Sequence, residues 1–125
     1  MTPAVHRLAH LLLQTTDLDA AERFYVDLLG LRVRKRERFR DGRPLIVTEQ
    51  GLGLTDGRLP GDGANVDHIA FEATGLREIV ERARAAGVEV LRGPLANPYG
   101  FAVYLADPDG NEIELIAPVE EQEGS

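Results

Sequence analysis

The chain has 125 residues, a formal net charge of −7 and no cysteine, with 43% hydrophobic and 28% charged residues. This is the composition of one globular domain, and it excludes a disulfide scaffold, a thiolate metal site and a cysteine nucleophile. The acidic balance speaks against a nucleic-acid partner, no apolar run approaches the ~20 residues of a membrane span, and the opening MTPAVHRLAH has no basic stretch leading into an apolar one, so a cytoplasmic protein is expected.

Residues 6–15 are rich in leucine and predict a strand. Asp17 is a helix N-cap, Leu18, Ala21, Tyr25 and Leu28 recur at helical spacing, and Gly30 ends that helix. Strands follow at 31–39, 44–49 and 51–55, separated by turns at Asp41-Gly42 and Gly51. Residues 57–65, GRLPGDGAN, read as a linker. A strand over 66–72 precedes a helix with Leu76, Ile79, Val80 and Ala83 on one face and Gly87 at its end. Three more strands are expected at 88–92, 100–106 and 111–117, the last two joined at Asp109-Gly110. The tail 119–125 is acidic, has nothing to bury and is expected to fray.

The chain repeats itself. His10-Leu-Leu-Leu-Gln-Thr-Thr-Asp-Leu18 aligns with His68-Ile-Ala-Phe-Glu-Ala-Thr-Gly-Leu76 at a constant offset of 58, and Gly30-Leu-Arg-Val33 matches Gly87-Val-Glu-Val90 after one gap. Each copy is strand–helix–strand–strand–strand. The expected fold is α+β: two βαβββ modules (5–56 and 66–117) within one domain spanning 1–118, forming a curved mixed sheet around a cavity. Alternation along the strands sends Ile69 and Phe71 under the helix and His68, Ala70 and Glu72 to the other face. By the repeat, His10, Leu12 and Gln14 share that inner face. Ile113 and Leu115 pack outward, which leaves Glu112, Glu114 and Ile116 inside, and Tyr104 points in between Val103 and Leu105. Two imidazoles and a carboxylate on one concave surface have the donor chemistry of a facial triad for a divalent metal.

Three stretches carry a resemblance to a known family: HLLLQTTDLDAAERFYVDLLGLRV, DHIAFEA and YLADPDGNEIELI. On these the chain resembles the vicinal oxygen chelate superfamily, which includes glyoxalase I, extradiol dioxygenases, fosfomycin-resistance enzymes and bleomycin-binding proteins. The resemblance implies metal ligands at His10, His68 and Glu114, a divalent ion (Fe, Mn, Ni or Zn), a small oxygen-chelating substrate and a homodimer. It makes Tyr104 the candidate hydrogen-bond donor or acid beside the reacting oxygen. Glyoxalase I and its relatives have a fourth ligand on the last strand of the first copy, where this chain has Gly53. Dioxygenases resemble one another in an acid/base histidine before the tyrosine, where this chain has Asn97, a candidate substrate-binding residue. The alternative reading is a small-molecule binding or resistance protein with little or no turnover.

The segment Arg32–Arg43 holds half of the basic residues. Strict alternation places Arg32, Arg34, Arg36, Arg38 and Arg40 on one strand face, opposite Val33 and Phe39. Such a stripe protects a sheet edge from aggregation, or it binds an anionic substrate through Arg34 and Arg36, or it docks an acidic partner.

Overall fold

The computed structural model describes residues 2–98 and 100–118, so the acidic tail 119–125 lies outside the described residues. The elements are β1 (Leu11–Thr15), α1 (Leu18–Glu22), β2 (Val33–Arg38), β3 (Pro44–Thr48), β4 (Leu52–Asp56), β5 (His68–Glu72), α2 (Leu76–Ala85), β6 (Val90–Asn97), β7 (Gly100–Ala106) and β8 (Glu112–Ala117). α1 continues directly into a π-helical turn over Arg23–Leu28. Asp17 caps α1 as expected, its Oδ1 accepting from the Ala20 N–H at 3.1 Å.

The two modules are built alike. The first sheet has the order β1-β4-β3-β2 and the second β5-β8-β7-β6. In each, the first strand pairs parallel with the last, and the remaining pairs are antiparallel. The register repeats with the sequence: Leu12 faces Gly53 in one sheet and Ala70 faces Glu114 in the other. The place of Glu114 in the first module is therefore held by Gly53.

The two sheets are not joined to each other within a chain. The modules meet through their helix-bearing sides. Leu13, Phe24, Tyr25, Ile46 and Leu54 of the first share one buried cluster with Leu76, Val80, Leu105 and Ile113 of the second. The contact is also polar. The Tyr25 hydroxyl donates to Asp107 Oδ2 at 2.5 Å, and Thr16 Oγ1 donates to Asp109 Oδ1 at 2.6 Å. The linker is wound around Arg58, whose guanidinium donates to the carbonyls of Asp62, Gly63 and Ala64 and to Asn65 Oδ1. With the helix sides together, the other face of each sheet is left open: Leu12, His68, Ala70 and Glu72 are all exposed. No helix among the described residues is long and apolar enough to cross a membrane.

Two local expectations are corrected. The first strand is shorter than 6–15 because its ladder runs out. β1 pairs only with β4, which begins at Leu52, and the ladder starts with the Leu11 N–H donating to the Gly51 carbonyl at 2.9 Å. Residues 2–10 have no regular secondary structure and are exposed. The arginine stripe is also broken. The β2–β3 register shifts between Val33 and Lys35, so Arg34 is an extra residue in β2. Beyond the bulge, Arg36 pairs with Ile46, which is buried in the core. Val33 and Arg36 thus both lie on the helix side, and Lys35 and Glu37 on the open side.

Candidate metal and substrate site

Glu114 is central to the open face of the second module. It lies on β8, flanked by β5 and β7, and Ile113 and Leu115 on either side of it are buried under α2's side of the sheet. That alternation turns its carboxylate outward, although only 9% of the residue is accessible. The Tyr104 hydroxyl, from its register partner on β7, donates to Oε2 at 3.1 Å, and Asn97 Nδ2 approaches the same oxygen at 3.4 Å. Oε1 faces His68 Nε2 at 3.8 Å.

His68 is oriented from its other nitrogen. Its Nδ1 lies 2.6 Å from Asp67 Oδ1. That carboxylate, partly opposed by desolvation, holds the imidazole pKa above its ordinary value, with Glu114 and Glu112 adding smaller contributions of the same sign. An Nδ1–H bonded to a carboxylate leaves Nε2 as the lone-pair donor, the arrangement in which histidine ligates metals. Tyr104 is held above its ordinary pKa by desolvation first and by Glu114 second, so its hydroxyl carries a proton at neutral pH.

One chain thus brings together His68, Glu114, Tyr104 and Asn97. It does not bring His10 to them: His10 is exposed just ahead of β1, and among the described residues no three His, Cys, Asp or Glu side chains gather in a metal-holding group. Imidazole nitrogen and carboxylate oxygen are suitable donors for Fe, Mn, Ni or Zn, and one chain offers two of the three. Arg36 is engaged elsewhere. Its guanidinium grips Glu22 of α1 at 2.6 and 3.0 Å on the helix side. Arg34 is exposed at the β2 bulge. A cavity of about 810 Å³ opens on the helix side, lined by Phe24, Leu28, Ala86 and Val88, and the candidate ligands do not line it.

Sequence reasoning missed two neighbours. Asp67 could have been found as a carboxylate adjacent to a candidate ligand. Arg92 could not. Alternation puts it on one face with Val88 and Val90, but the β6–β7 register shifts between Val90 and Arg92. Val90 pairs with buried Leu105, whereas Arg92 pairs with Tyr104 on the open face. Its Cζ lies 4.2 Å from the Tyr104 ring centroid, and Nη2 donates to Glu112 Oε1 at 2.8 Å.

Several known proteins are similar to this chain. A lactoylglutathione lyase of Neisseria meningitidis is 28% identical over 123 residues, covering 88% of this chain and 89% of that protein. Biphenyl-2,3-diol 1,2-dioxygenase 3 of Rhodococcus globerulus is 31% identical over 120 residues, covering 87% of this chain and 62% of that one. A fosfomycin-resistance protein of Listeria monocytogenes, solved with Mn(II) and 1S,2S-dihydroxypropylphosphonic acid, superimposes with a TM-score of 0.68 at 22% identity, covering 98% of this chain and 100% of that one. The sequence profile of one family matches residues 7–115. The chain belongs to the Glyoxalase/Bleomycin resistance protein/Dioxygenase superfamily.

Proposed function

We propose that the protein is a divalent-metal-dependent enzyme acting on a small oxygen-chelating metabolite, with His68 and Glu114 of one chain and His10 of a second copy as ligands. The observation that carries the reading is the pair itself: an Nε2 and an Oε1 3.8 Å apart, both on an open sheet face and each fixed from behind, by Asp67 and by Tyr104. The second copy is supported by the exposed arm ahead of β1. There Val5 is 95% and Leu8 82% exposed, apolar surface that a second copy would cover. Edges β1 and β5 are both unpaired on one side, and joining edges between copies would bring the first module of one chain against the second module of the other.

A bound divalent ion would accept two neighbouring substrate oxygens and stabilise the oxyanion that develops on them. The chain's own groups do the rest. Glu114 is positioned by Tyr104 and Asn97. Tyr104 is protonated at neutral pH and gives its one hydroxyl proton to Glu114 Oε2, so it donates to a substrate oxygen only when it exchanges that bond for the substrate. Asn97 cannot carry a proton and serves orientation only. With Gly53 in the remaining ligand place, positions on the ion stay open for bidentate substrate. A second reading, small-molecule binding with little turnover, draws on Asn97, which removes the acid/base group that ring cleavage uses. Metal analysis of protein dialysed against manganese in chelator-free buffer separates the two. His68→Ala and Glu114→Ala are expected to abolish stoichiometric metal, whereas Glu112→Ala keeps it. A wild type that never holds metal replaces the enzyme with the binding protein.

A further inference from the structure

We infer that Arg92 is the anion anchor of this site, and that the substrate carries a carboxylate or phosphoryl group at the end remote from its chelating oxygens. The inference rests on the proposed metal site and adds to it the class of molecule that fits.

The β6 ladder is irregular on both sides of Arg92, with register shifts between Val90 and Arg92 and between Arg92 and Leu95. Bulges of this kind re-aim side chains, and here the shift moves a guanidinium from the helix side to the face that carries Glu114 and His68. The irregular backbone depends on glycine. Gly93 has φ +90°, and a Cβ there would collide with the Ala102 carbonyl oxygen. The guanidinium is then held over the Tyr104 ring and tied to Glu112 by a single Nη2 bond. Glu112 takes only one of the two Nη2 hydrogens, and Nε and Nη1 have no hydrogen-bond partner among the described residues, so one of the two paired-donor edges, Nε/Nη2 or Nη1/Nη2, stays open; the side chain is 49% exposed. A planar fork with an unused edge is suited to bind a carboxylate or phosphoryl group through paired N–H···O bonds.

The arginines of β2 belong to the first module's sheet, which does not carry Glu114 and His68, and Arg34 is exposed at its bulge. Arg36 is bonded to Glu22 on the opposite side of its sheet, and Arg38 donates to the Gly42 carbonyl. Register also sets the reach. Arg92, Tyr104 and Glu114 are successive partners across β6, β7 and β8, so Arg92 stands two strand spacings, roughly 10 Å, from the ligand carboxylate at the backbone. The anionic group therefore lies several bonds from the chelating oxygens. Glu112 holds Arg92 in place but repels the same anion, so its removal strengthens anion binding.

The test uses the full chain loaded with Mn(II), metal content being read by electron paramagnetic resonance and affinity by calorimetry. Three probes share a 2-oxo acid chelating end: 2-oxoglutarate, 2-oxopentanoate, which lacks the distal charge, and 2-oxo-4-phosphonobutanoate. Wild type is expected to bind the better of the two distally charged probes about tenfold more tightly than 2-oxopentanoate, as one charge-assisted pair provides. Which of the two is better identifies the group as carboxylate or phosphoryl. Arg92→Met is expected to erase the preference with manganese content unchanged, Arg92→Lys to keep part of it, and Glu112→Gln to increase it. Equal binding of all three probes, failure of all three to bind the loaded wild type, or a preference that survives Arg92→Met with manganese in place overturns the anchor and leaves the metal site standing. A wild type without manganese overturns the metal site and the anchor together.

Discussion

Asp107 is 5% exposed, and donors surround its carboxylate: the Tyr25 hydroxyl and Asn111 Nδ2 on one oxygen, the Asp109 and Asn111 N–H groups on the other. Asn111 Oδ1 in turn accepts from the Asn65 and Val66 N–H groups. The Asp-Pro-Asp-Gly-Asn run that helps mark the family is therefore a junction, tying the β7–β8 turn to α1's π-helical extension and to the linker. It does this structural work away from the site. Tyr25→Phe removes one donor from a buried carboxylate and should cost about 1–3 kcal/mol of unfolding free energy. Urea denaturation at neutral pH measures it, and an unchanged midpoint would show that Asp107 is satisfied without the phenol. Manganese content should be unaffected, since Tyr25 lies on the helix side.

At the scale of the elements, α1 is braced against the edge of its sheet by Glu22 and Arg36. The hydrogen bond from Arg36, opposed by burial, keeps the Glu22 carboxyl below its ordinary pKa. A carboxyl depressed in the folded state contributes stability above its unfolded pKa and loses it as pH falls through the folded one. The stability difference between wild type and Arg36→Met should therefore be largest at neutral pH and shrink as acid takes the pH below the ordinary carboxylate range and protonates Glu22. Denaturant titrations across that range check it, and a difference independent of pH would mean that Arg36 acts by packing alone. The same element shows why its arginines do not form one wall. A single extra residue at Arg34 reverses the face of everything after it.

For the whole molecule, the arrangement of the modules determines where a site can exist. Their helix sides share one core, so both open faces point away from it, and His10 lies apart from His68 and Glu114. If a second copy completes the site, His10→Ala and Glu114→Ala each lose metal alone. Mixing them after reversible dissociation should restore it, because one of the two sites in a mixed dimer has all its ligands intact. Random exchange gives half mixed dimers, hence about a quarter of the wild-type metal content. No recovery, with subunit exchange confirmed independently, would place all ligands within one chain. Sedimentation should likewise give a dimer at micromolar concentration, and deletion of residues 2–9 should weaken it.

What could be read from the sequence was what neighbouring residues decide. The Asp17 cap, the apolar helix stripe at Leu76, Ile79, Val80 and Ala83, and the period-two alternation around Glu114 and Tyr104 are local, and each appears in the structure where it was expected. The repeat carried that reading further, since the same local rules applied twice give the same module twice, down to the pairing of Gly53 with Leu12 and of Glu114 with Ala70. Tertiary structure decided the rest. A bulge depends on how two strands fit, so nothing near Arg34 or Leu91 announced that Arg36 would turn to the helix side or Arg92 to the open one. A strand extends only as far as its partner, so the length of β1, and with it the freedom of His10, was set by where β4 begins some forty residues later. Which faces of two similar modules meet depends on the apolar area each contact buries, a property of the folded surfaces that a local sequence pattern does not express.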